Sequence, residues 1–166
     1  YMAYIHIAHD CQVGDSVIFA NNGTLAGHVE VGSFAHVGAL SAVHQFCRVG
    51  EYAFIGGGTI ATKDCLPFMK TVGSRPARCF GPNSIGLERK GFSAERREAR
   101  KGAWRLLHSS KLTASEARER IAAAHCHHMR EKNHRVRLGQ LQRGLHVMLL
   151  DVVRDEAESR DHHPIA

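Results

Sequence analysis

With 166 residues, 43% of them hydrophobic and 23% charged, the chain has the make-up of an ordinary globular protein long enough to bury a core. It contains no run of 18 apolar residues and no signal-peptide pattern, so a cytoplasmic protein without a membrane span is expected. The formal charge of +6, concentrated after Lys63, suits an acidic partner or an anionic substrate. Nucleic acid is not expected, because the basic residues lack interleaved aromatic side chains and a recognisable binding motif.

From Ile7 to Leu66 every sixth residue is apolar: Ile7, Val13, Phe19, Leu25, Val31, Val37, Val43, Val49, Ile55. The residue after each is mostly small (Ala8, Gly14, Ala20, Ala26, Gly32, Gly38, Gly50, Gly56), and so is the fifth of most hexads, as at Cys11, Gly23, Ala35, Ser41, Cys47 and Ala53. A period of six fits neither an amphipathic helix nor a two-faced strand. It fits short strands joined by tight turns, with three hexads closing one 18-residue coil, the apolar residue pointing inward and the small ones letting the chain turn. A sandwich of short strands has no reason to hold a period of six, because its loops vary in length. The expected fold is mainly β: a parallel β-helix over residues 1–66, whose hand the repeat does not fix, followed by a small α-helical domain. Because the chain starts without Met at an inward hexad position, it reads as the tail of a longer β-helix whose earlier coils are absent. Five scattered cysteines, Cys11, Cys47, Cys65, Cys79 and Cys126, are an odd number, and they read as reduced, packed thiols.

The repeat stops at Pro67, and an irregular connection marked by Pro67, Gly73, Pro76, Gly81, Pro82 and Gly86 is expected over 67–92. A helical domain should occupy 93–145. Its first helix runs from Ser93 to about Ser110 with Ala99, Ala103, Trp104, Leu106 and Leu107 near one side, and a turn follows at Ser109 to Leu112. Thr113 with Glu116 has the form of a capping box, opening a second helix through Ile121 and Ala124. From His125 to Gln142 apolar residues thin out. A weak helical stripe returns at Leu145, Met148, Leu149 and Val152, within an extension over 146–166 that should be frayed.

Within the coil region His9, His28 and His44 are spaced 19 and 16 residues apart, each within two of a full coil, so they should line one edge of the prism, with His6 nearby. Such a column can move protons or bind a metal. Each histidine alone could equally be a polar residue on a solvent-facing corner, as we take His36 to be. Asp10 could orient the His9 ring, or simply serve a turn. The amide of Gly27, unobstructed by a side chain, could donate to an oxyanion.

The runs His6-Ile7-Ala8-His9-Asp10-Cys11, Ala20-Asn21-Asn22, Leu25-Ala26-Gly27-His28-Val29, Ala42-Val43-His44-Gln45-Phe46-Cys47 and Ile55-Gly56-Gly57 resemble the UDP-N-acetylglucosamine O-acyltransferases that begin lipid A biosynthesis. Asn83-Ser84-Ile85-Gly86-Leu87-Glu88-Arg89-Lys90-Gly91-Phe92-Ser93 resembles that family's entry into its helical domain. The resemblance covers roughly residues 1 to 124. It implies a left-handed coil and a homotrimer with active sites between subunits. It also implies transfer of a 3-hydroxyacyl group from acyl carrier protein to the 3-hydroxyl of UDP-N-acetylglucosamine, with no cofactor beyond the carrier's phosphopantetheine and no metal. By the same resemblance His9 is the general base, Asp10 its orienting partner and the Gly27 amide the oxyanion donor. His6, His28, His44 and Gln45 line the sugar and acyl site, Asn83, Arg89 and Lys90 meet the nucleotide, and Gly57 floors the acyl groove. Ile85 stands where many members carry an acidic residue.

Two alternatives use the same fold. One is a zinc enzyme resembling γ-type carbonic anhydrases, whose two close ligands lie five residues apart, a spacing that His9, His28 and His44 do not reproduce. The other is a non-catalytic remnant that trimerises or binds carrier protein through its basic helices.

Overall fold

The computed structural model describes residues 1–108, 112–113, 115–117 and 119–123. Most of the expected turn at 109–112, the second helix beyond residue 123, Cys126, the segment 125–142, the stripe at 145–152 and the extension 146–166 lie outside the described residues. The chain divides into two compact units, Tyr1–Arg97 and Glu98–Ala166.

Each hexad supplies one two-residue strand: β1 His6–Ile7, β2 Gln12–Val13, β3 Ile18–Phe19, β4 Thr24–Leu25, β5 Glu30–Val31, β6 His36–Val37, β7 Ala42–Val43, β8 Arg48–Val49, β9 Phe54–Ile55 and β10 Ile60–Ala61. They stack as three parallel sheets, β1-β4-β7-β10, β2-β5-β8 and β3-β6-β9, each pairing residue n with residue n + 18, as in Ile7↔Leu25↔Val43↔Ala61. The inward positions Phe19, Leu25, Val31, Val37, Val43, Val49 and Ile55 form the core with the fifth-position residues Val29, Ala35, Cys47 and Ala53. Burying a Val, Leu or Ile side chain contributes about 1.5–3 kcal/mol. Ile7, on the first rung with a neighbour on one side only, is 37% exposed.

Between strands the chain turns a corner in a four-residue turn, closed where described by hydrogen bonds such as Gly23 N to Ala20 O (3.1 Å) and Cys47 N to His44 O (3.3 Å). The third residue of each turn has positive φ, and it is seldom glycine: Tyr4, Asp10, Ser16, Asn22, His28, Phe34, Leu40, Phe46 and Tyr52 all lie between +55° and +63°. Glycine is demanded instead at several of the first turn positions, where rungs approach closely. A Cβ at Gly32 would lie 2.5 Å from Glu51 N, and one at Gly38 would lie 2.6 Å from both Gly57 N and Ile55 O.

Residues 67–92, which lack the hexad period, still carry the coil onward. β11, Met69–Val72, pairs in parallel with β9, joining Thr71 to Ile55, and Cys65 bridges Val49. Both offsets are 16 residues rather than 18, and the Ile60↔Ser74 bridge shortens to 14, so the last rung tapers. β12, Arg78–Pro82, then runs antiparallel to β11 along its outer edge. A short helix α1, Ser84–Arg89, is capped by Asn83, whose Oδ1 accepts from Gly86 N at 3.2 Å and whose Nδ2 donates to Tyr52 O at 3.2 Å. Position 86 is glycine because the Asn83 amide lies against it. Helix α2, Ala94–His108, starts where Ser93 Oγ accepts from Arg96 N. The capping box at Thr113 is formed: Thr113 N donates to Glu116 Oε2 at 2.8 Å, and Glu116 N donates to Thr113 Oγ1 at 3.4 Å. Cys11, Cys47, Cys65 and Cys79 are thiols outside any disulfide, and burial pushes the Cys65 thiol up to about 12, which leaves it unreactive. Among the described residues no helix is long and apolar enough to cross a membrane.

Candidate active site

The first corner of the prism, between the β1-β4-β7-β10 sheet and the β2-β5-β8 sheet, carries a column of turns at residues 8–11, 26–29 and 44–47. It gathers His9, Asp10, Gly27, His28, His44 and Gln45, with His6 beside it on the outer face of β1. His9 and His28 come from successive rungs tied by the His28 N to His9 O hydrogen bond at 3.1 Å. Their rings meet edge to face, with centroids 5.1 Å apart.

His9 Nδ1 and Asp10 Oδ2 are 2.8 Å apart, so Nδ1–H donates to the carboxylate and the lone pair is left on Nε2. His28 Nε2 lies 3.7 Å from the same carboxylate oxygen. The His9 hydrogen bond, helped by the neighbouring His28, holds the Asp10 carboxyl below its ordinary value of 3.8. The group is surface-exposed, so the hydrogen bond can orient the His9 ring while adding little to stability.

Gly27 lies beneath the His9 ring. A Cβ there would lie 2.7 Å from Cε1 and 2.9 Å from Nε2 of His9, so only glycine lets the ring settle in this position. The same absence of a side chain sets the Gly27 backbone next to the nitrogen that would act as base.

His44 belongs to this corner but is turned aside, with Nδ1 3.1 Å from Gln45 O. The ligand atoms that converge are those of His9, Asp10 and His28, all within 4.8 Å of one another, and not those of the three histidines a γ-type zinc centre would use. Sequence reasoning missed Phe46, whose ring stacks on His28 at 4.8 Å with a 10° interplanar angle. Its signal was the register, since 46 is one coil after 28. His36, set aside in the sequence, lies on another face of the prism, stacked on Phe54, and burial lowers its pKa.

The other candidate residues lie at other corners. Asn83 and Lys90 gather at the second corner, where Phe34, Tyr52 and Phe68 stack at 4.8 and 5.5 Å. Asn83 binds the backbone of Tyr52, and the Lys90 ammonium sits 5.1 Å from the Phe34 ring centroid. Arg89 and Ile85 are exposed on α1. Gly57 lies at the third corner, exposed, where a Cβ would come within 3.3 Å of Ala39 O. Gly57 and His9 therefore do not share an edge of the prism within a single chain. Of the basic residues of α2, Arg97 pairs with Glu88 (2.8 Å) and Lys101 with Glu98 (3.4 Å), so part of that charge is already neutralised.

The family described as "Udp N-acetylglucosamine O-acyltransferase; Domain 2" matches residues 64–145. The acyl-[acyl-carrier-protein]--UDP-N-acetylglucosamine O-acyltransferase of Thiobacillus denitrificans is 44% identical over 144 residues, covering 87% of this chain and 55% of that protein. The UDP-N-acetylglucosamine acyltransferase of Arabidopsis superposes with a TM-score of 0.71 at 34% identity, over 98% of this chain and 52% of that one. The O-acyltransferase of Moraxella catarrhalis gives 0.73 at 33% identity, over 90% and 52%. The chain spans about half the length of the curated relatives it matches. Its coil, like those of the matching structures, is a left-handed parallel β-helix.

Proposed function

The chain belongs to the UDP-N-acetylglucosamine O-acyltransferase family, and from that premise we propose that it transfers a 3-hydroxyacyl group from acyl carrier protein to the 3-hydroxyl of UDP-N-acetylglucosamine, the first step of lipid A biosynthesis. The observation that carries this reading is the His9–Asp10 pair seated on Gly27. His9 Nε2 takes the hydroxyl proton as the sugar oxygen attacks the thioester carbon. The carbonyl oxygen becomes an oxyanion, to which the Gly27 N–H would donate. Collapse breaks the carbon–sulfur bond, and the departing thiolate of the carrier's phosphopantetheine takes the proton back from His9. The acyl group arrives activated, so the reaction needs neither a cofactor of the protein's own nor a catalytic metal. Cytoplasm is the compartment where both substrates would be met.

His28, with His6, His44 and Gln45, would hold the sugar and the head of the acyl chain beside the base. Asn83, Arg89 and Lys90 would hold the nucleotide, and Gly57 would leave the groove floor open to a long acyl chain. These groups occupy three different corners of one prism, which supports a homotrimer whose sites form where a corner of one subunit meets a different corner of the next. The zinc-enzyme reading is not favoured, because His44 lies outside the convergent cluster. A non-catalytic remnant would retain the coil without turnover.

The test is His9→Ala. A base acts on the transition state, so kcat should fall by about 100-fold or more with KM nearly unchanged. Wild-type turnover in this variant would refute the assignment of His9 as the base.

A further inference from the structure

We propose that His9, Asp10 and His28 also form an inhibitory site for a borderline divalent cation of the zinc or cobalt type, and that occupying it switches off the base. The binding part stands on geometry alone, and the inhibitory part rests on the acyltransferase reading. A tetrahedral zinc centre with bonds of about 2.0–2.1 Å holds its ligands roughly 3.3 Å apart. The separations here bracket that figure: 2.8 Å from His9 Nδ1 to Asp10 Oδ2 and 3.7 Å from His28 Nε2 to the same oxygen. Two imidazoles and a carboxylate suit such a cation, leaving a fourth position for water.

The ligands are largely held in place already. Asp10 and His28 occupy the positive-φ positions of stacked turns. The His28 ring is clamped by Phe46, and the His9 ring rests on Gly27. All three ligand atoms lie within 4.8 Å of one another, so side-chain adjustment alone would bring them to one cation.

The consequence follows from the tautomer. In the metal-free pair Nδ1 carries the proton toward Asp10 and Nε2 is the base. A cation on Nδ1 displaces that proton, and a neutral imidazole then keeps its single proton on Nε2. The ring still lies over Gly27, but it has no lone pair with which to accept the sugar hydroxyl proton. The metal takes no part in the reaction.

The experiment titrates Zn2+ into the full chain, follows the histidine ring nitrogens by 15N NMR and measures affinity by calorimetry. The expected result is one zinc-bound Nδ1 at His9 with the proton on Nε2. Affinity should fall by more than the roughly 10–100-fold that loss of an outer-shell partner costs, in an Asp10→Asn/His28→Phe double variant whose circular dichroism matches the wild type. The phenylalanine preserves the stack on Phe46. Unchanged affinity in that variant would place the metal on other histidines and overturn the proposal, as would a His9 ring that keeps its Nδ1 proton in saturating Zn2+. Acyl transfer by the metal-free protein should be lost with zinc and restored by a chelator. Absence of transfer before any metal is added would count against the acyltransferase reading and leave the NMR result to decide the site.

Discussion

The His9 ring touches the Gly27 backbone where any other residue would place a side chain, so a single added methyl group separates the base from its seat. The Gly27→Ala backbone is not strained, because Gly27 is not among the positive-φ residues, and the Cβ meets a movable ring rather than main chain. The fold should therefore survive while the ring swings off Gly27 and loses its alignment with Asp10. We expect kcat to drop about 100-fold, the scale of a 1 Å misplacement, with an unchanged melting temperature. A variant that keeps full turnover would show that the ring position is incidental. Asp10 illustrates how little of such a site is visible in letters: an aspartate in a turn is common, and only the 2.8 Å contact shows that its carboxylate serves the neighbouring histidine.

At the scale of the strand and turn, stability depends on backbone clearance between rungs. A methyl group at Gly38 would press on Gly57 N and Ile55 O of the next rung, atoms that cannot move without opening the coil. Gly38→Ala should cost about 2–3 kcal/mol, read as a lowered midpoint in urea with an unchanged slope. A midpoint within error of wild type would mean that the rungs are more compliant than their spacing implies. The same contrast explains what the sequence disclosed. The strands β1 to β9 were legible because an apolar residue recurs at the same inward position of every hexad. The positive-φ corners were not, since Tyr, Phe and Leu are residues that ordinarily avoid that region. β11 was hidden because the offset shortens to 16, breaking the only signal in use, and β12 because it leaves the coil and runs antiparallel to β11. Gly57 could have been placed by counting: it lies 48 residues after His9, two coils and two further sides, hence at another corner.

For the whole molecule, the separation of the candidate residues over three corners predicts complementation between subunits. If sites form between subunits as proposed, chains carrying His9→Ala and chains carrying Arg89→Ala should each be inactive alone, yet regain transfer when the two are refolded together, because some interfaces then hold both intact residues. No recovery on mixing would mean that each site is built from one chain. The constant offset of 18 has a consequence for how such a protein can lengthen. Eighteen residues inserted after Val49 and before the tapered rung would leave every column aligned and raise the stack by about 4.8 Å. The same insertion between Cys11 and Leu25 would put a foreign rung between His9 and His28, leaving the prism sound and the pair divided. The coil is thus a ruler whose rungs are interchangeable for packing but not for chemistry, because a rung added anywhere between His9 and Arg89 changes the height at which those residues stand.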